Sequence, residues 1–276
     1  MSKVALITGA TRGIGRALSL GLAQNGYNIV VAGKSVTENP NLPGTIYSVS
    51  EEVEKLGKKA LPIQVDLRND TDIINLVNQT DKEFGKLDLL INNAGALSWK
   101  PIKDTEMKNY DLINSINSRA SFHLSKLAIP LLRRSDNAHI INQSPPLFKS
   151  KMLKNTIKNR TAYMISKWGM TLGALGLAEE YKGMGLAANT LWPMTPIESY
   201  ALKNNNLGNA KMWRKTDIMV DAVLEIVKED ANTFTGNQLF DEVYLKEKGY
   251  TDFTKYQCVS GYEPPKLMEL NQLLRT

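Results

Sequence analysis

Tyr163 and Lys167 stand four positions apart in Tyr163-Met-Ile-Ser-Lys167. On a helix that spacing puts both side chains on one face, one turn apart. A tyrosine alone is a poor acid–base catalyst, because its free pKa is roughly 10. A nearby ammonium favours the phenolate and brings the phenol toward neutrality. The chemistry implied is proton exchange with an oxygen atom. The pair alone is weak, since any amphipathic helix can carry a half-buried tyrosine beside a solvated lysine.

A second constellation, Gly9-Ala-Thr-Arg-Gly13-Ile-Gly15, strengthens it. Residues 4–8 form a short apolar run, as a strand buried on both faces requires. Residues 16–25 read as a helix. Strand, glycine turn and helix together let a backbone approach a pyrophosphate at the positive helix end. The spacing is Gly-x-x-x-Gly-x-Gly, not Gly-x-Gly-x-x-Gly, and a plain tight turn is the other reading.

The second strand, residues 28–33, ends without an acid to hold a ribose hydroxyl. Lys34 and Ser35 follow it, and Arg12 lies in the glycine turn. Two cations and small residues favour NADP(H), with NAD(H) possible, although Lys34 can equally be solvated. Asp66, after a third strand at 60–65, can accept from an adenine amino group or cap the next turn. Asn92-Asn93-Ala94-Gly95 follows a fourth strand at 87–91 and makes a turn that admits a cofactor. Asn92 itself is as readily structural.

Residues 107–133 read as one long helical stretch with Asn117 inside it. That asparagine can perturb the backbone, hold a water or sit on the helix surface. A fifth strand, 138–142, is followed by Ser144 and by Pro145-Pro146. A sixth, 186–192, closes at Pro193, and 238–240 is a last short strand. Strands alternating with helices specify a Rossmann-type, doubly wound parallel sheet in a three-layer αβα single domain. Gly9, Asp66, Asn92, Ser144 and Pro193 all follow strands, so one sheet edge collects the suspects. Residues 194–215 carry Tyr200, Met212 and Trp213 among an Asn-rich patch, which suits a lid or ordinary surface packing.

Composition bounds the alternatives. Lys and Arg number 34 against 28 acids, a formal charge of +6. That excess suits anionic ligands. Nucleic acid is disfavoured, because Lys149, Lys151, Lys154, Lys158 and Arg160 lack interleaved aromatics. The single cysteine, Cys258, excludes an internal disulfide and a multi-cysteine zinc site, and two histidines make no His cluster. No metal site, signal peptide, sorting signal or membrane span is expected, and the location expected is cytoplasmic.

In order, Thr8-Gly-Ala-Thr-Arg-Gly13-Ile-Gly15, Asn92-Asn-Ala-Gly95, Asn117, Ser144 and Tyr163-x-x-x-Lys167 resemble the short-chain dehydrogenase/reductase family. The resemblance covers about residues 3–240. Gly44-Thr-Ile-Tyr47, Asn142-Gln-Ser-Pro-Pro146, Leu191-Trp-Pro193 and Phe234-Thr-Gly236 make it most similar to the hydroxysteroid dehydrogenase-like subgroup. Some members of that subgroup carry a sterol-carrier-like domain, and none is expected within this sequence.

The resemblance implies hydride transfer between NAD(P)H and a small carbonyl or alcohol. Tyr163 would exchange the hydroxyl proton, and Lys167 would hold the nicotinamide ribose and lower the tyrosine pKa. Ser144 would bind the substrate oxygen, and Asn117 would hold a relay water. Gly9, Thr11, Arg12, Gly13, Ile14 and Gly15 would cradle the cofactor. Lys34, Asp66 and Leu67 would meet its adenosine end, and Asn93, Ala94, Gly95, Pro193 and Thr195 would border its middle and nicotinamide. A homodimer or homotetramer through 107–133 and 161–182 is expected.

The sequence also departs from the family. Met194 stands where many members have glycine, and nineteen positions separate Ser144 from Tyr163 against about thirteen in the family. Ser144 is preferred over Ser150 for the hydroxyl. The rival functions are a catalytically silent cofactor-binding regulator and a nucleic-acid binder. An enoyl reductase is disfavoured by the Tyr–Lys spacing. Residues 1–240 are read as the domain and 241–276 as an extension on or beside it.

Overall fold

The computed structural model describes residues 2–147, 154 and 156–266. Lys149, Ser150, Lys151 and the C-terminal Leu274-Arg275-Thr276 lie outside the described residues.

Seven strands form the sheet: β1 (Lys3–Thr8), β2 (Tyr27–Gly33), β3 (Ala60–Gln64), β4 (Leu89–Asn92), β5 (Ala138–Asn142), β6 (Leu186–Trp192) and β7 (Gln238–Phe240). The spatial order is β3-β2-β1-β4-β5-β6-β7, and every pairing is parallel. β4 and β5 are buried along their whole length, as strands covered on both faces must be.

Among the described residues the α-helices include α1 (Gly13–Gln24), α2 (Ile46–Lys55), α3 (Asp70–Phe84), α4 (Met107–Asn114), α5 (Ala120–Leu132), α6 (Thr161–Glu180), α7 (Tyr200–Asn204), α8 (Asp217–Ile226) and α9 (Asp241–Glu247). One core layer joins β1 and β2 to α1, α2 and α8; the other joins the sheet to α3, α5 and α6. This is the doubly wound Rossmann arrangement. The chain reverses direction across the sheet between β1 and β4, which opens a crevice at their carboxyl ends.

One segment differs from the sequence expectation and another carries an added feature. Helix α1 begins at Gly13, inside the glycine turn. The stretch 107–133 is helical as expected, and a π-helical turn, Ser115–Arg119, which contains Asn117, is inserted between α4 and α5. Beyond β7, Tyr244, Leu245, Phe253 and Tyr256 join the first core layer. Their spacing has no simple period, so the sequence pattern does not reveal them.

Candidate active site

All sixteen residues expected to touch a cofactor line one cavity of about 900 Å³ at the carboxyl edge of the sheet. The glycine turn sets its floor. Gly9 takes a left-handed φ of 65°. A Cβ on Gly15 would stand 2.2 Å from the Gly9 carbonyl oxygen, so only glycine lets α1 start against the loop. Thr8 Oγ1 accepts the backbone N–H groups of Asn93 and Ala94, both at 3.1 Å. The Asn93 amide donates to the Thr8 carbonyl at 2.8 Å. Asn93 thus fixes the loop around the cavity. The first turn of α1 has no side-chain cap and no acid, which fits a phosphate.

At the end beneath β2 and β3, the Arg12 guanidinium donates to Ser35 Oγ at 2.8 Å and to the Leu42 and Gly44 carbonyls at 3.2 Å. Lys34 Nζ lies 3.0 Å from Asp66, which Arg68 also grips. The Arg68 hydrogen bond, aided by Lys34, holds the Asp66 carboxyl well below the usual range. An ionised Asp66 is an acceptor, as binding an amino group requires. Lys34 is thus ion-paired while its side chain stays largely exposed.

At the other end, α6 brings Tyr163 and Lys167 to the cavity wall. Lys167 Nζ is buried and donates to the Gln143 carbonyl at 2.8 Å. Burial lowers its pKa to about 7. Burial also pushes the Tyr163 phenol up, opposed by the Arg160 charge. The expected lowering of Tyr163 by Lys167 is therefore corrected: desolvation dominates, and the cation acting on the phenol is Arg160. Arg160 itself faces the cavity, not a basic strip.

Ser144 requires a second correction. It is fully buried, its Oγ accepts from Thr171 Oγ1 at 3.0 Å, and it does not line the cavity. Side chains alternate along an extended run. Asn142 and Ser144 face α6, where the Asn142 amide donates to the Met170 carbonyl at 2.8 Å. Gln143 and Pro145 take the cavity side. The buried Gln143 Nε2 has no hydrogen-bond partner. Reading the strand's alternation one residue past its end finds this; the hydroxyl motif does not.

Asn117 is fully buried, not a surface amide. Its side chain accepts from the Ala96 N–H at 2.8 Å and donates to the Ala96 carbonyl at 3.1 Å and Ser166 Oγ at 2.9 Å. It joins the loop after β4 to α6, and it lies outside the cavity lining.

The far wall is the segment after β6. From it Ile197, Tyr200, Leu202, Leu207 and Met212 face the cavity. Its two ends are tied together, with Arg214 N–H donating to the Pro196 carbonyl at 2.9 Å. Trp213 is buried and donates to the Leu207 carbonyl at 3.1 Å. Met194 has no positive φ, so the turn after Pro193 takes no backbone conformation that favours glycine. The buried Thr195 Oγ1 has no partner and lines the cavity. An uncapped helix end, a glycine-lined floor and orphaned buried donors fit a phosphate-bearing dinucleotide. Among the described residues no helix is long and apolar enough to cross a membrane.

Comparison with known proteins agrees with this geometry. Residues 3–206 match the family model of short chain dehydrogenases. The chain is 44% identical over 259 residues to hydroxysteroid dehydrogenase-like protein 2 of Danio rerio, and 43% identical over 257 residues to that of Homo sapiens. Each alignment covers 93% of this chain but only 61% and 60% of the relatives. The chain thus spans well under two thirds of their length. A crystal structure of a short chain dehydrogenase from Mycobacterium thermoresistibile is 38% identical, covers 95% of this chain and 92% of its own, and superposes with a TM-score of 0.88. A candidate dehydrogenase from Xanthomonas campestris is 36% identical, covers 95% of both chains and gives 0.89.

Proposed function

The chain belongs to the short-chain dehydrogenase/reductase family, and from that premise we propose an oxidoreductase that interconverts a carbonyl and an alcohol, with NADP(H) preferred over NAD(H). The observation that carries this reading is the convergence of Tyr163 and Lys167 with the glycine turn on one cavity. When bound, the nicotinamide nucleotide supplies or accepts the hydride.

The protein's own residues then have one proton to manage and two reactants to orient. The glycine turn and the start of α1 hold the pyrophosphate. Arg12, Lys34 and Ser35 meet a ribose 2′-phosphate, and Asp66 meets the adenine amino group. Thr195 and Lys167 hold the nicotinamide end. Tyr163 gives its proton to the substrate oxygen during reduction and takes it back during oxidation. A phenol raised by burial is un-ionised at neutral pH, which is the donating form. Gln143 Nε2 replaces Ser144 as the donor that polarises the substrate oxygen. Asn117 is a positioning residue that aligns α6 with the loop after β4. Homodimers or homotetramers form through α4, α5 and α6.

The withdrawal of Ser144 from the cavity favours a second reading, a nucleotide-binding regulator without turnover. NADPH oxidation across a panel of ketones and aldehydes separates the two. Turnover supports the enzyme; tight NADPH binding without turnover on any of them supports the regulator.

A further inference from the structure

Arg160 immediately precedes α6, and its carbonyl accepts the Met164 N–H at 2.9 Å. It therefore sits one turn before Tyr163, and both line the cavity. Its guanidinium carbon lies over the Trp99 ring, 4.5 Å from the centroid. Such a cation–π contact supplies no oxygen acceptor for the five N–H donors of the guanidinium. Among the described residues, no carboxylate or carbonyl takes those donors. Burial disfavours the charge. A partly buried cation without a counter-ion is costly until an anion pairs with it.

Thr156 makes a second, independent observation. It is 3% exposed, its Oγ1 has no hydrogen-bond partner, and it lines the same cavity. The walls supply the rest of the pattern. Among the described lining residues the sole carboxylate is Asp66, held by Lys34 and Arg68 at the opposite end. The apolar lining of the cavity includes Leu97, Trp99, Met164, Trp192 and, from the segment after β6, Leu207 and Met212.

We propose that the substrate is an oxo acid, or its hydroxy acid in the reverse direction, whose carboxylate pairs with Arg160 and Thr156 while the reacting oxygen faces Tyr163. This deepens the oxidoreductase reading above and rests on it. Residues three apart at the start of a helix are neighbours, about 5–6 Å between Cβ atoms. The carboxylate and the carbonyl therefore lie within a few bonds of each other, and the apolar remainder lies under the lid. In reduction the carbonyl carbon gains a hydride with its two electrons from NADPH, which becomes NADP⁺. The oxygen gains the Tyr163 proton, which solvent replaces. The carboxylate is unchanged and serves only recognition.

The test compares α- and β-oxohexanoate with their methyl esters, using NADPH and the wild-type, R160M and R160K proteins. The ester keeps the skeleton and removes the charge. The wild type is expected to prefer one of the acids by about tenfold or more in kcat/KM, the scale of a charge-assisted contact. R160M collapses that acid-to-ester ratio, and R160K restores part of it, because an ammonium supplies charge without the fork. Esters reduced as well as acids, or a ratio that R160M does not move, overturns the proposal while leaving the oxidoreductase intact. A binding arm works without turnover: hexanoate is titrated calorimetrically into the NADPH-saturated protein. Hexanoate binding that weakens about tenfold in R160M, with no carbonyl compound reduced, supports the anion site and removes the enzyme. Hexanoate binding that is absent, or equal in both proteins, removes the anion site.

Discussion

The Asp241 carboxylate accepts the Met194 backbone N–H at 2.7 Å. This bond ties the first residue of α9 to the turn that closes β6. Nearby, Arg214 lies 2.9 Å from Glu242, with both side chains buried, and also pairs with Glu263. Lys215 N–H donates to the Tyr256 carbonyl at 2.7 Å. The residues after the last strand therefore anchor both ends of the segment after β6, and through it one wall of the cavity.

Asp241 makes stability depend on pH. Burial raises its pKa to about 7, although the Met194 and Glu242 N–H groups and Arg214 pull the other way. The unfolded carboxyl titrates near its ordinary value of roughly 4. Between those values the folded state binds more protons than the unfolded one. The contribution is therefore fully present below about pH 4 and lost as pH rises through about 7. D241N mimics the protonated acid and keeps an acceptor for Met194. The difference in Tm, variant minus wild type, should increase steadily across that window. A difference that is flat with pH would show that Asp241 does not titrate there.

Gln143 and Ser144 exchange the roles that the motif suggests. Ser144 Oγ is occupied by Thr171, whereas Gln143 Nε2 is buried and unpaired beside the cavity. Q143L should lower kcat by about 100- to 1,000-fold, the range for losing one donor to a reacting oxygen. S144A should lower stability by about 1 kcal/mol, one buried hydrogen bond, and change kcat by less than about threefold. Steady-state kinetics and denaturant titration of both variants decide it. A larger kcat loss in S144A than in Q143L reverses the assignment.

How far the sequence discloses this site follows from how local each determinant is. The strands, the glycine turn and the Tyr163–Lys167 spacing are set by short-range patterns, and the structure keeps them. Ser144 misleads because residue type says nothing about which side of an extended run faces the cavity. Arg160 looks like one cation in a basic stretch, since its partner Trp99 comes from a distant loop. Tyr256 and Arg214 are fully buried through contacts spread over tens of residues, which no period records. Asn117 is legible as a perturbing residue, but the π-helical turn and its bonds to Ala96 and Ser166 are tertiary facts.

Arg12 should decide between the two dinucleotides. Ser35 and the loop carbonyls of Leu42 and Gly44 orient its guanidinium without cancelling its charge. Lys34, by contrast, is shared with Asp66. R12A should weaken NADPH binding by about tenfold or more, the worth of a charge-assisted contact. The loop at 42–44 loses a tether as well, which affects both cofactors. The informative readout is therefore the ratio of the NADH to the NADPH Kd. That ratio should fall toward one; a ratio unchanged by R12A would move the phosphate elsewhere.

Tyr163 carries the proton in this scheme, and Y163F removes only that capacity. The ring still fills its place on the cavity wall, so NADPH should bind within about twofold of wild type, a shift smaller than any single contact is worth. Turnover should fall by about 100- to 10,000-fold, the usual worth of a positioned acid or base. Fluorescence titration of NADPH and the rate of its oxidation measure the two quantities on one sample. Joint loss of binding and turnover would mean that Tyr163 shapes the cavity and does not act on the substrate. Retained turnover would place the proton donor on another group, and Lys167, with its pKa lowered to about 7 by burial, is then the residue in the cavity able to supply it.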